Sequence, residues 1–475
     1  MHTQDLDYSS HHGEGLKRDA LPFNEVLAQS VANIAPTATP AINLALVFGM
    51  SGNGSWLTYV VATIGLLLIG LCINQFAKRS ATPGSIYSYV GQSLGPNAGF
   101  MVGWGLLLAY LATGMAVVSG CVLYASDLFK MAGIVVPSVL LVAIVVGLVW
   151  FVSFKDVQLS ARAMLLLEVA SVGAILLLGF FILKSKGFAV DQSQLQLQGM
   201  TADGLRTGLV LAIFSFVGFE SATAMGAEAK NPLKTVPRAV IMSTLLSGIF
   251  FVIMSYIMVV GFHGAKVGLD KAEGPLNALA IGAKVPWLGV MASIGGVISF
   301  FACALACATA ASRIMMAMSR DGYLPSNIGK THVTNSTPHI AAGVCGVAMF
   351  LVPATLALSN FKLFDIYGLN GTIATYGFLV AYISIAIGAM VMLSRRSMLT
   401  IGPALAAIAG IAFMLVAVYG SIVPFPAAPY NALPPIFAVY MIVGAVWMMA
   451  TKSKAAQTSQ TVRASLSNVE AEGAM

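Results

Sequence analysis

The sequence predicts an all-α polytopic membrane protein of about twelve transmembrane helices, and three observations carry that prediction. Of the 475 residues, 58% are hydrophobic and only 9% charged, with a mean hydropathy of +0.86. A soluble domain carries about a quarter of its residues as charges, so most of this surface has to face lipid. Apolar runs of about 20 residues, enough to cross the hydrocarbon core as a helix, recur along the whole chain. Lys and Arg fall between those runs, and more of them fall on one side than on the other.

Taken in order, residues 1–22 are polar, hold no cleavable signal pattern and read as a tail. Spans are expected at 25–49, 56–76, 98–125, 134–152, 163–183, 207–228, 239–262, 285–311, 338–358, 366–393, 400–423 and 431–450. The first and sixth are interrupted by small residues and proline. The connections 77–97 and 312–337 are too polar to span but apolar enough to lie against the bundle. The Ser-, Gln- and Ala-rich stretch 452–475 predicts a tail without structure.

Orientation follows from the cations. With the N-terminus in the cytoplasm, the segments on that side carry Lys17, Arg18, Lys78, Arg79, Lys155, Arg162, Lys230, Lys234, Arg238, Arg313, Arg320, Lys330, Arg395, Arg396, Lys452, Lys454 and Arg463, 17 of the 25 Lys and Arg. The positive-inside rule then predicts both termini in the cytoplasm, and the cytoplasmic (inner) membrane is the expected location.

Composition also excludes classes. The net charge of +7 is scattered a few residues per loop, with no basic stripe, so no nucleic acid is expected. Cys72, Cys121, Cys303, Cys307 and Cys345 lie in apolar stretches and read as small core residues. His263, His332 and His339 lack metal-ligand spacing, so no metal or cofactor is expected. Met315, Met316 and Met318 read as lipid-facing or packing residues and not as a cofactor box. No phosphate-binding loop supports ATP drive, and no nucleophile–base set can be assembled, so no enzyme is expected.

The first span, "EVLAQSVANIAPTATPAINLALVFG", contains Pro36 and Pro40. Each lacks an N–H and clashes with the preceding turn. Ala35 lies ten residues after Glu25, about 15 Å at helical rise, which is half of a ~30 Å core. The sixth span runs the other way, and Gly218 lies twelve residues after Arg206, about 18 Å in. Both breaks therefore fall near the midplane. Glu220, two residues past Gly218, is expected to face the bundle interior, since a carboxylate toward lipid costs about 2.5–3.5 kcal/mol. Interrupted segments at matching depth mark a transporter binding site, and a half-helix N-terminus suits a substrate carboxylate.

Four stretches then carry a resemblance. "FSFVGFESATAMGAEAKNPLKTVPRAV" (214–240), "PGSIYSYVGQSLGPNAGFMVGWG" (83–105), "SRIMMAMSRDGYLP" (312–325) and "STPHIA" (336–341) stand in the order of the amino acid–polyamine–organocation superfamily, whose amino acid permeases the chain resembles. The resemblance implies a five-plus-five inverted repeat with broken helices 1 and 6 and two extra helices. Its divisions are a tail to 22, a first repeat over 23–183, a second over 184–393, two helices over 394–451 and a tail over 452–475. It implies substrate between the unwound middles of spans one and six, at Ala35, Pro36, Thr37 and Ala38 and at Phe214, Ser215, Phe216 and Gly218. Phe214 resembles the gating aromatic, and Tyr110 of span three would face the same site or serve as an ordinary knob between helices. Many relatives have "G-S-G" where this chain has Pro36-Thr37-Ala38, which narrows the room for a carboxylate.

Coupling and gating fall to Glu220 and Glu168. Some proton-coupled relatives carry a lysine in span five; this chain has none there, and Ser171 takes the comparable place. Glu168 is either a proton site or the partner of a loop cation. Glu228 is expected to be structural; Arg320 and Asp321 are expected either on a loop that the resemblance places against the inner mouth, with a part in gating, or on a solvated surface helix. The expected function is secondary active transport of an amino acid or related small amine or organic solute by alternating access, driven by a proton or sodium gradient or by exchange. The small molecule, the bilayer and the coupling ion are the expected partners. A polyamine transporter is the alternative on the same scaffold; a channel or non-transporting sensor is the alternative of a different class.

Overall fold

The computed structural model describes residues 15–473 apart from 156, 273 and 424, and within them the chain is helical, with no strand. The first span is two helices, α1 (Phe23–Ile34) and α2 (Leu44–Ser51), separated by an unwound stretch and a π-turn over Thr39–Asn43. Next come α3 (Ser55–Ala77), α4 (Ser85–Leu94), α5 (Pro96–Met131), α6 (Ser138–Lys155) and α7 (Val157–Ser185). The short α8 (Gln192–Leu195) leads to α9 (Ala202–Phe214), which ends at the second break and is followed by a 3₁₀ turn over Ser221–Met225. The rest are α10 (Pro232–Phe262), α11 (Pro275–Gly282), α12 (Pro286–Arg320), α13 (His339–Leu358), α14 (Leu363–Arg395), α15 (Ile401–Gly420) and α16 (Leu433–Gly473).

Among the described residues ten segments are long and apolar enough to cross a bilayer, and the difference from twelve has two local causes. Phe23–Ala77 is a single segment of 55 residues that holds both the first and second expected spans. The sixth span is cut at Ser215–Glu220 into pieces too short to cross alone. Proline opens α5, α10, α11 and α12 in the first turn, where its missing N–H has no helical partner to lose.

The long α5 is the axis of the bundle: 83% of its most apolar window is buried, against 11% for the window in α16. On α6, Leu140, Ile144, Leu148 and Phe151 form an exposed apolar stripe at helical spacing, the face for lipid. Helices five spans apart pack on one another: α3 against α10, α5 against α12, and α6 against α13. That is how two halves related by an in-plane two-fold axis meet. The connection 77–97 folds into α4, which lies against α5 and α14 as its polarity predicts.

Two expectations are corrected. The stretch from Lys452 onward continues α16 to Gly473 instead of forming a structureless tail, because its Ala, Lys and Gln residues are good helix formers that extend the preceding turns. Arg320 is the last residue of α12 rather than a loop residue.

Candidate functional site

The first break starts at Ala35, whose φ of 49° is left-handed. A residue with a Cβ pays about 1–3 kcal/mol there and holds it only when its surroundings over-determine it. Pro36 forces that departure, and Ala38 N–H donates back to Ala35 O at 2.9 Å. Ala35, Thr37 and Ala38 are all buried. The second break is a run of single turns from Ser215 to Glu220, with Gly218 at φ 91°.

The two breaks meet. Ser30 Oγ donates to Phe219 O at 2.7 Å and accepts from Ala222 N–H at 3.0 Å. Ser221 Oγ donates to Gln29 O at 3.2 Å. Asn33 lies against Gly218 so closely that a Cβ on Gly218 would overlap the amide. Asn33 Oδ1 accepts from Cys307 Sγ at 2.9 Å and Asn33 O from Cys303 Sγ at 3.0 Å, while its buried Nδ2 has no protein partner. At the end of the π-turn, Asn43 Nδ2 donates to Ser215 Oγ and, at 2.8 Å, to Leu211 O; Ser215 Oγ also pairs with Tyr59 OH at 3.0 Å.

Glu220 is fully buried between two tyrosines. Tyr110 OH on α5 donates to Oε1 at 2.6 Å and Tyr382 OH on α14 donates to Oε2 at 2.8 Å. Hydrogen bonds to an ionised acceptor are about twice as strong as neutral ones, so this carboxylate ties the second break to two long helices. Glu168 on α7 is tied to the first break in the same manner. Its Oε1 accepts from Thr37 N at 3.2 Å, Thr37 Oγ1 at 3.1 Å and Ser299 Oγ of α12 at 2.8 Å. The α7 residue that reaches the break is thus Glu168, three residues before Ser171, and no cation pairs with it among the described residues.

At the face where α1 begins, Glu228 and Arg313 form a buried bidentate pair at 2.7 and 2.9 Å. Beside it the chain before α1 is stitched to the segment after the second break: Ala20 and Leu21 N–H donate to Glu228 O, and Lys230 N–H donates to Leu21 O. Tyr87 OH donates to Asp321 at the same face.

The other expected site residues spread outward from the breaks. Phe214 stands edge-on to Tyr367 with centroids 5.8 Å apart and touches Gly371 of α14. The Phe216 ring packs 5.0 Å from Phe251 of α10 and 6.4 Å from Tyr59, so its side chain joins the α3–α10 packing. Tyr110 serves Glu220. Asn33, Asn43, Tyr382 and Ser299 are site neighbours that sequence reasoning missed. The two asparagines carried a usable signal, as uncharged polar groups inside an apolar span. Among the described residues no three His, Cys, Asp or Glu side chains group to hold a metal. Two cavities lie at the face where α2 ends: one of about 220 Å³ includes Lys186 and His263 in its lining, and one of about 170 Å³ includes Asp270, Lys271, Lys362 and Asp365.

Comparison with known proteins agrees with this architecture. The amino acid permease family model matches residues 25–464. The chain is 25% identical over 416 residues to a branched-chain amino acid permease of Bacillus subtilis (strain 168), covering 83% of this chain and 84% of that protein. It is 27% identical over 361 residues to a low-affinity putrescine importer of Escherichia coli (strain K12), covering 72% and 77%. It is 25% identical over 329 residues to a methylthioribose transporter of Bacillus subtilis (strain 168), covering 65% and 69%. Among solved structures, that of a mutant manganese transporter from Eremococcus coleocola matches with a TM-score of 0.58 at 12% identity, over 94% of this chain and 99% of that one, a likeness of fold.

Proposed function

The chain belongs to the amino acid permease family, and on that premise we propose that it carries an amino acid or a close amine relative across the cytoplasmic membrane by alternating access. The observation that carries the reading is the contact between two mid-membrane breaks, Asn33 against Gly218 and Ser30 bonded to Phe219 O and Ala222 N–H. Irregular backbone at membrane depth is tolerated only in protein or along a cavity, and helix ends there offer polar backbone to a solute.

The substrate lies between Ala35–Ala38 and Ser215–Gly218, with Phe214 as the aromatic cover. Its carboxylate is held by backbone N–H groups, and its amine lies toward the side of the site bearing Glu220. Thr37 N–H is already taken by Glu168, so fewer donors remain at the first break than an unwound helix otherwise exposes. Glu220 and its two tyrosines close the path toward the face bearing Glu228 and Arg313, the cytoplasmic face by the distribution of Lys and Arg. Opening that path requires Tyr110 and Tyr382 to part from the carboxylate. The packing of α3, α5 and α6 on α10, α12 and α13 supports a division into repeats at 23–183 and 184–393.

The test is uptake by proteoliposomes from a panel of labelled leucine, arginine, putrescine and methylthioribose, with proton, sodium and counter-substrate gradients. Saturable uptake of at least one panel member above empty vesicles is expected. Uptake of none under any gradient, by folded protein, contradicts the reading.

A further inference from the structure

We propose that Glu168 is the site where the coupling proton binds, and that its charge is read by the first break through Thr37 and by α12 through Ser299. The proposal rests on the reading of the chain as a gradient-driven transporter.

Glu168 is 1% exposed, and its two oxygens divide the work. Oε1 takes all three donors, and Oε2 has no hydrogen-bond partner in the protein. A neutral carboxyl accepts through its carbonyl oxygen and carries its proton on the other; an anion accepts through both. Oε2 can therefore gain and lose a proton without breaking any bond the structure shows.

Among the described side chains no cation bonds to Glu168. On α7 itself Lys184 is sixteen residues away, about 24 Å along the helix, and Arg162, six residues away, has a side chain outside the described ones. Of the elements packed against α7, α1 brings Glu25, α12 brings Cys303, Cys307, Arg313 and Arg320, α10 brings Lys234 and Arg238, α6 brings Lys155, and α11 brings no charged group. Arg313 is taken by Glu228 and the two thiols by Asn33; none of these groups bonds to Glu168. An unpaired buried ion costs several kcal/mol in desolvation, so the anion is a state to be entered and left during the cycle. The Thr37 amide and both hydroxyls turn hydrogens toward Oε1, which solvates a charge, and among the described residues Glu168 belongs to no group of three His, Cys, Asp or Glu side chains that could hold a metal ion.

The step is simple in balance. A proton from water on one side adds to Oε2 to give the neutral acid, and loss of that proton to the other side restores the anion. The anion draws the Thr37 amide and the Ser299 hydroxyl tight through charge-assisted bonds, clamping the first break to α7 and α12; the neutral acid holds them about half as strongly.

The test uses the full chain in proteoliposomes. For transport with one proton per substrate, each pH unit of gradient supports about tenfold accumulation, since 1.36 kcal/mol is a factor of ten. Wild type is expected to approach that ratio for its transported panel member. Glu168→Gln keeps an acceptor for Thr37 and Ser299, so it should still exchange substrate above background while accumulating about onefold. Proton-driven accumulation by Glu168→Gln equal to wild type overturns the proposal. If that variant fails to exchange, Ser299→Ala decides: it should keep proton drive with a displaced pH profile, and an unmoved profile overturns the proposal. Infrared difference spectra over a pH titration need no substrate. A protonated-carboxyl band present in wild type and lost in Glu168→Gln is expected, and its absence from wild type overturns the proposal even where uptake of the whole panel fails.

Discussion

Asn33 and Gly218 face each other across the two breaks, and the fit between them depends on glycine twice over. Gly218 holds a φ of 91°, and a Cβ there would overlap the Asn33 amide. Gly218→Ala should therefore push the breaks apart, costing about 1–3 kcal/mol in backbone strain alone. Uptake should fall at least tenfold while the protein still elutes as a single folded species; wild-type uptake by this variant would mean that the contact is not needed.

Glu220 accepts from Tyr110 and Tyr382, one hydroxyl per oxygen. Removing either hydroxyl leaves a buried carboxylate oxygen short of its donor, a penalty of about 1–3 kcal/mol or more for a charged group. Tyr382→Phe should lower the rate of coupled uptake more than it alters apparent affinity. Glu220→Gln should impair uptake and leave the protein folded. Kinetics of uptake for the three proteins check this, and wild-type values in Glu220→Gln sink the gate.

Phe214 stands against Gly371 and Tyr367. Phe214→Ala should change the Km across the panel by several-fold with a smaller change in the maximal rate. An unchanged Km for every transported panel member counts against its place over the substrate.

The Glu228–Arg313 pair is bidentate and buried, so breaking it strands a charge. Arg313→Met should destabilise the protein by about 3–5 kcal/mol, and Arg313→Met with Glu228→Leu should recover much of that loss. Thermal unfolding in detergent tests the pattern. A double variant no more stable than the single one would show that the pair contributes more than mutual neutralisation.

Outside the membrane, Asp191 caps α8 and faces His263 at 3.4 Å. Partial burial pushes its carboxyl up, but bonds from Ser193 and Gln194, with His263 beside it, hold it below its ordinary value. A depressed folded value means stability that is present above the ordinary carboxylate range and lost as pH falls through the folded one. Asp191→Asn should melt below wild type at neutral pH, with the gap closing only under strongly acid conditions. A gap independent of pH would assign the effect to shape instead of charge.

Much of the fold was legible because membranes impose simple rules. Spans show as length, and the breaks show as Pro36, Pro40 and Gly218 within otherwise apolar runs. The ten segments found among the described residues differ from twelve spans because Phe23–Ala77 runs two spans together through the helical Gly52–Gly54 turn and the second break cuts a span in two. The sites around the acids were less legible. Glu220 and Glu168 could be singled out as buried charges, but Tyr382 lies 162 residues from Glu220 and Ser299 lies 131 from Glu168. Nothing local distinguishes that serine from others in a helix rich in small residues. Partner choice at that separation is set by the packing of α5, α7, α12 and α14, which periodicity does not encode.

The claim at the centre is that substrate lies between the breaks, and a structure with the transported panel member bound tests it most directly. The account predicts ligand density in contact with Ala35–Ala38 and Ser215–Gly218. Density confined to the cavity bounded by Asp270, Lys271, Lys362 and Asp365, with none between the breaks, would contradict it.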